Sequence, residues 1–125
     1  MEHKTILIVR GGGDLASGVI HRLYRCGYRI LVLECHKPSA IRRKVSFGEA
    51  VFDGASAVEG VTGRLISDIS EAEKIWEAKE IPILVDETGE TAKKLKPAAL
   101  IDAILAKKNL GTNRDMASLT VALGP

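Results

Sequence analysis

The feature that most constrains this chain is a junction near its amino terminus. Lys4 to Val9 is a β-branched and aliphatic run without alternation, the pattern of a strand buried on both faces. It leads into Gly11-Gly12-Gly13, and from Asp14 the period changes. Leu15, Ala16, Val19, Ile20, Leu23 and Cys26 then line one side of a helix, with His21, Arg22 and Arg25 on the other. Gly27 stands where a helix ends in a left-handed residue, and Arg29 to Glu34 supplies a second aliphatic strand. The result is a βαβ unit, which commits the chain to a parallel sheet that needs cover on both faces.

The rest of the chain continues the alternation. A helical stretch is expected from Ser39 to Glu49, and short strands and turns from Ala50 to Ile66, where Gly54, Gly60 and Gly63 interrupt Val and Ile. Ser67 or Asp68 can cap a helix through about Lys79 whose apolar face is Ile69, Ala72, Ile75 and Trp76. Ile81 to Val85 reads as a buried strand, Thr91 to Lys96 as a short helix, and Ala99 to Leu105 and Ser118 to Leu123 as later strands. The expected fold is α/β, one Rossmann-like domain over residues 1–125 with a parallel sheet and helices on both faces.

Composition narrows the class. With 125 residues, 46% hydrophobic and 27% charged, the chain suits one globular domain and excludes disorder, collagen and a coiled coil. The longest aliphatic runs, such as Ile6 to Val9, are four residues, so no membrane span is expected. Met1 to Thr5 lacks the apolar core and cleavage site of a secretory signal, which points to the cytoplasm and to reduced Cys26 and Cys35. A net charge of +2 is too small to suggest nucleic acid. Seven of the eight arginines fall within residues 1–64, however, which makes that half the better place for an anionic ligand.

Gly11-Gly12-Gly13-Asp14-Leu15-Ala16, between strand and helix, matches G-x-G-x-x-A, an accepted form of the dinucleotide fingerprint. Gly11 permits the tight turn, Gly13 removes a side chain that would block a pyrophosphate, and Ala16 lets helix and strand approach closely. The first helical N–H groups and the positive end of the dipole would hold the phosphates. Glu34, 23 residues after Gly11, stands where a carboxylate accepts hydrogen bonds from a ribose, which favours NAD over NADP. Nearby His36, Lys37, Arg42 and Arg43 could reverse that preference by pairing with a 2′-phosphate. Asp14 would repel a phosphate unless it caps the helix. No Lys-Ser/Thr follows the glycines, so this is not a P-loop. The plainer alternative is a tight βα turn in a fold without a ligand.

Other candidates are weaker. Asp86-Glu87 follows a strand directly and could bind a metal or ligand hydroxyls, although simple turn residues are the commoner reading. Asp102, inside a strand, would be a buried carboxylate in need of a partner. Arg114, in the polar loop Asn109 to Asp115, could clamp an anion. Cys35-His36 makes a poor metal signature, and no metal site is expected. No nucleophile with an adjacent base is evident, so the sequence names no catalytic residue and argues against an enzyme acting alone.

Arg10 to Arg25 (RGGGDLASGVIHRLYR), Arg42 to Val51 (RRKVSFGEAV), Val58 to Val61 (VEGV) and Ala106 to Thr112 (AKKNLGT) carry a further signal. Together they resemble the YqeB-type family of selenium-dependent molybdenum hydroxylase system proteins, itself distantly similar to the XdhC/CoxF maturation factors. The resemblance implies an accessory role in maturing a molybdenum hydroxylase, which would be its partner, and a ligand that is either an NAD(P)-type dinucleotide or the molybdenum cofactor. It also implies a chain roughly twice as long, continuing past a segment like Val121 to Pro125. An NAD(P)-dependent oxidoreductase and a regulatory nucleotide-binding module stay open beside it, as does assembly into a homo-oligomer.

Overall fold

Apolar strands separated by amphipathic helices have one economical packing, a sheet with helices laid on its two faces, and the computed structural model has that form. It describes residues 5–11, 14–34, 47, 50–87, 89–95, 97–102 and 119–122. In chain order the elements are β1 (Ile6–Arg10), α1 (Asp14–Arg25), β2 (Arg29–Glu34), α2 (Ala50–Asp53), β3 (Ala55–Val58), β4 (Val61–Ile66), α3 (Ala72–Glu77), β5 (Ile81–Val85), α4 (Glu90–Leu95), β6 (Ala99–Asp102) and β7 (Leu119–Ala122). Among the described residues seven strands lie in the order β3-β4-β5-β2-β1-β6-β7. All neighbouring pairs are parallel except β3 with β4.

Alternation along the central strands sorts the core into two layers. Leu7, Val9, Ile30 and Val32 pack with Ala16 and Ile20 of α1 and Ala50 of α2. Ile8, Leu31 and Leu33 pack with Ala72 and Trp76 of α3 and Ala92 of α4. Helices therefore cover both faces, and each fully buried Leu or Ile contributes about 1.5–3 kcal/mol of transfer free energy.

Local chemistry explains the element ends. Gly27 follows α1 with a φ of 92°, as expected of a residue just past a helix. Asp68 caps a 3₁₀ turn (Ile69–Glu71) through a capping box with Glu71, and that turn leads into α3. Val58 pairs with Val61 across Glu59 and Gly60, whose φ values of 49° and 83° match the doubly left-handed turn of a tight hairpin.

Three expectations change. The first strand runs through Arg10 rather than ending at Val9. Cys26 is not part of the apolar stripe, because α1 stops at Arg25 and leaves the thiol exposed. The stretch from Ala50 to Ile66, expected to hold short strands and turns, opens with a one-turn helix, α2, before its hairpin. The helix expected from Ser39 to Glu49 lies outside the described residues except at Phe47. Among the described residues no helix is long and apolar enough to cross a membrane.

Candidate functional site

The chain leaves β1 toward β2 on one side and returns to β6 on the other, so β1 and β6 part their connections in opposite directions. In open parallel sheets this arrangement opens a crevice beyond the carboxyl ends of the strands. Residues far apart in sequence meet at that end. Arg10 stands in register with Leu33 of β2 and Asp102 of β6, and Glu34 with Val85 of β5, immediately before Asp86 and Glu87.

The β1–α1 junction is tight. Gly11 is buried with a φ of 101°, a conformation costly for any residue with a Cβ, and its N–H donates to the Leu33 carbonyl at 2.7 Å. Asp14 opens α1, and Ala16 is buried against the sheet as close packing requires. Glu34 is 8% exposed and, by alternation with Ile30 and Val32, belongs to the face that α1 covers. The first turn of α1 and the Glu34 carboxylate are thus on one side of the crevice. Ser17, also buried, accepts a hydrogen bond from the Phe47 N–H at 2.9 Å, which ties the chain at residue 47 to the start of α1.

On the opposite face the β5–α4 turn folds back across the strand ends. Arg10 is only 1% exposed, and its guanidinium donates to the Glu87 carbonyl at 2.8 Å. Gly89, at φ 78°, passes directly over that group, and a Cβ there would lie 3.2 Å from Arg10 Cζ. Asp86 holds the turn from within, its carboxylate accepting from the N–H groups of Gly89 at 2.9 Å and Thr91 at 2.8 Å. Burial pushes the Asp86 carboxyl up, but hydrogen bonds from Thr91, Gly89 and Glu90 outweigh it and leave the group below the ordinary carboxylate range. The Asp86 N–H closes the circuit by donating to the Glu34 carbonyl at 2.9 Å.

The fold therefore brings Gly11, the start of α1 with Asp14, Leu15 and Ala16, Glu34, Asp86, Glu87 and Asp102 to one end of the sheet. Gly12, Gly13, Arg42, Arg43 and Arg114 lie outside the described residues, as do Cys35 and His36. Asp86 has the turn-forming role that its position after a strand suggested. Among the described residues no three His, Cys, Asp or Glu stand together as metal ligands would.

Arg10 is the residue that sequence reasoning missed. Its signal was an arginine closing an otherwise apolar strand, one position before the glycines. A guanidinium there has to be solvated by water or by backbone, and the strand periodicity could not say which.

A concavity of about 380 Å³ sits at the amino end of the sheet between the ends of α1 and α3. Several of its polar groups are already engaged, although Arg29 Nε is buried without a hydrogen-bond partner. Arg29 stacks 5.4 Å over the Trp76 ring and pairs with Glu73, the Trp76 N–H donates to the Ile30 carbonyl, and the Tyr24 hydroxyl donates to the Lys79 carbonyl. Glu80 is paired with Arg64. The convergence of a glycine turn and buried charge favours the carboxyl end instead.

Over 120 residues, 96% of this chain, the sequence is 51% identical to its homologue "Uncharacterized protein YqeB" of Escherichia coli (strain K12). The chain spans about a fifth of that relative, 22% of its length, so the relative is far longer than the doubling the resemblance implied. No family model and no solved structure matches the chain.

Proposed function

We propose that the carboxyl-end crevice binds a phosphate-bearing cofactor, an NAD(P)-type dinucleotide or a molybdopterin-type cofactor, and that the chain is a Rossmann-like module serving the maturation of a selenium-dependent molybdenum hydroxylase. One observation carries the reading. The left-handed Gly11 turn, the start of α1 and the buried Glu34 carboxylate lie together on one side of a topological switch point. These are the groups such a ligand needs: backbone N–H groups and a helix dipole for phosphates, and an acceptor for ribose hydroxyls or pterin N–H groups. A bound dinucleotide would supply hydride chemistry, whereas a molybdopterin would supply a metal-binding dithiolene. The residues of this chain would hold and orient either one. The molybdenum assignment rests on the sequence resemblance alone; the identity to the Escherichia coli protein bears on the relationship to YqeB and not on molybdenum.

Titration calorimetry with NAD, NADP and molybdenum cofactor tests the binding half. Gly13→Val should abolish binding in a folded protein by placing a side chain where the phosphate must sit, and undiminished affinity would reject the site. Deleting the gene and assaying a molybdenum hydroxylase from the same cell tests the accessory half. Unchanged hydroxylase activity together with robust NAD(P)H turnover by the purified protein would replace it with an oxidoreductase.

A further inference from the structure

We propose that Arg10 is the positioning residue for Glu34, holding in place, through the β5–α4 turn, the backbone that carries the hydroxyl-reading carboxylate; the inference rests on the site reading above. Alternation puts the two side chains on opposite faces of the sheet: Arg10 continues the Ile6 and Ile8 side, and Glu34 the Ile30 and Val32 side. The linkage between them is a short series of contacts. The Arg10 guanidinium donates to the Glu87 carbonyl. One residue earlier, the Asp86 N–H donates to the carbonyl of Glu34 itself. The Asp86 carboxylate then fixes Gly89 and Thr91, and Gly89 lies flat over the guanidinium that began the series.

The chemistry of Arg10 makes a purely packing role uneconomical. A guanidinium that is 1% exposed carries a desolvation cost that an apolar side chain of similar volume would avoid. What it offers in return is a rigid fork of donors for carbonyls that no aliphatic residue can satisfy. The carbonyl it is seen to satisfy belongs to the turn hydrogen-bonded to Glu34. Gly89 fits the same account, since any Cβ at that position would press on the guanidinium. A site that reads a ligand hydroxyl discriminates well only when its acceptor is held within a fraction of an ångström, and that support comes from residues that never touch the ligand.

The experiment uses the 125-residue chain, with ADP and 2′-deoxy-ADP as probes that differ only in the hydroxyl Glu34 would read. The unsubstituted chain should prefer ADP by about tenfold, the scale of a hydrogen bond to a charged group. Glu34→Gln should remove the preference. Arg10→Met should remove it too, while leaving 2′-deoxy-ADP affinity near that of the unsubstituted chain, and the double variant should lose nothing more. A folded Arg10→Met chain that keeps the tenfold preference, or that weakens both probes equally, overturns the proposal and leaves the site reading standing. If Arg10→Met does not fold, Gly89→Ala disturbs the same linkage with the charge retained, and a retained preference there overturns the proposal as well. An unsubstituted chain that binds neither probe overturns this proposal together with the dinucleotide form of the site reading, and the titration with molybdenum cofactor then decides the other form.

Discussion

The two ends of the sheet handle charge in opposite ways. At the amino end Arg29 and Glu73 meet in partial contact with water, with side chains 22% and 57% exposed. At the carboxyl end Arg10 and Glu34 are buried; the Arg10 guanidinium donates to the Glu87 carbonyl of a turn, and the main-chain carbonyl of Glu34 accepts from the Asp86 N–H. An exposed pair exchanges one set of favourable contacts for another with water and gains little, whereas a buried polar group stripped of its partner retains its whole desolvation cost. The amino end should therefore tolerate substitution and the carboxyl end should not. A site that must hold ligand groups in fixed positions is better built at the second kind of end.

The largest effect should come from Gly89→Val. It forces a branched side chain into a left-handed backbone and against Arg10, and should cost about 3 kcal/mol in urea denaturation. A loss near zero would mean that the turn does not bear on the guanidinium. Trp76→Phe should follow at about 2 kcal/mol, because it leaves the buried Ile30 carbonyl without its indole donor. That variant sharpens the comparison: Trp76 belongs to the amino end but is buried, so burial rather than location would be seen to set the cost.

Asp86→Ala should cost about 1 kcal/mol at neutral pH by releasing the Gly89 and Thr91 N–H groups. Its pH dependence carries a definite sign. The carboxyl is held below its ordinary value in the folded chain, so its contribution is complete above the ordinary carboxylate range and fades as pH falls through the depressed folded value. The melting-temperature gap between the unsubstituted chain and Asp86→Ala should accordingly narrow on acidification; a gap constant with pH would contradict the capping role. The smallest effect belongs to the Arg29 and Glu73 pair. A double-mutant cycle should give a coupling of about 0.5 kcal/mol that shrinks in salt, and a value several times larger would erase the contrast between the two ends.

Much of this architecture is legible in the sequence alone. β2 and β5 fall where their aliphatic runs predicted, α1 ends one residue before its expected Cys26, and Asp68 caps the turn that leads into α3. Periodicity and capping are local, and these segments carry both. The site was legible as scattered residues only. Glu34, Asp86 and Asp102 could each be placed at the end of a strand, but no pattern in the sequence says which strands are neighbours.

What the sequence determined by itself was therefore the identity of the elements and the turn chemistry at their ends: an apolar run must become a buried strand, and Gly11 can adopt a φ that a Cβ makes costly. Tertiary structure decided the rest. The insertion of β5 beside β2 brings the Asp86 N–H to the Glu34 carbonyl, and the return of the β5–α4 turn brings the Glu87 carbonyl to Arg10. These contacts join residues 52 and 77 positions apart. Strand order follows from how two apolar layers close over one sheet, and that is a property of the whole core, which no local stretch of sequence encodes.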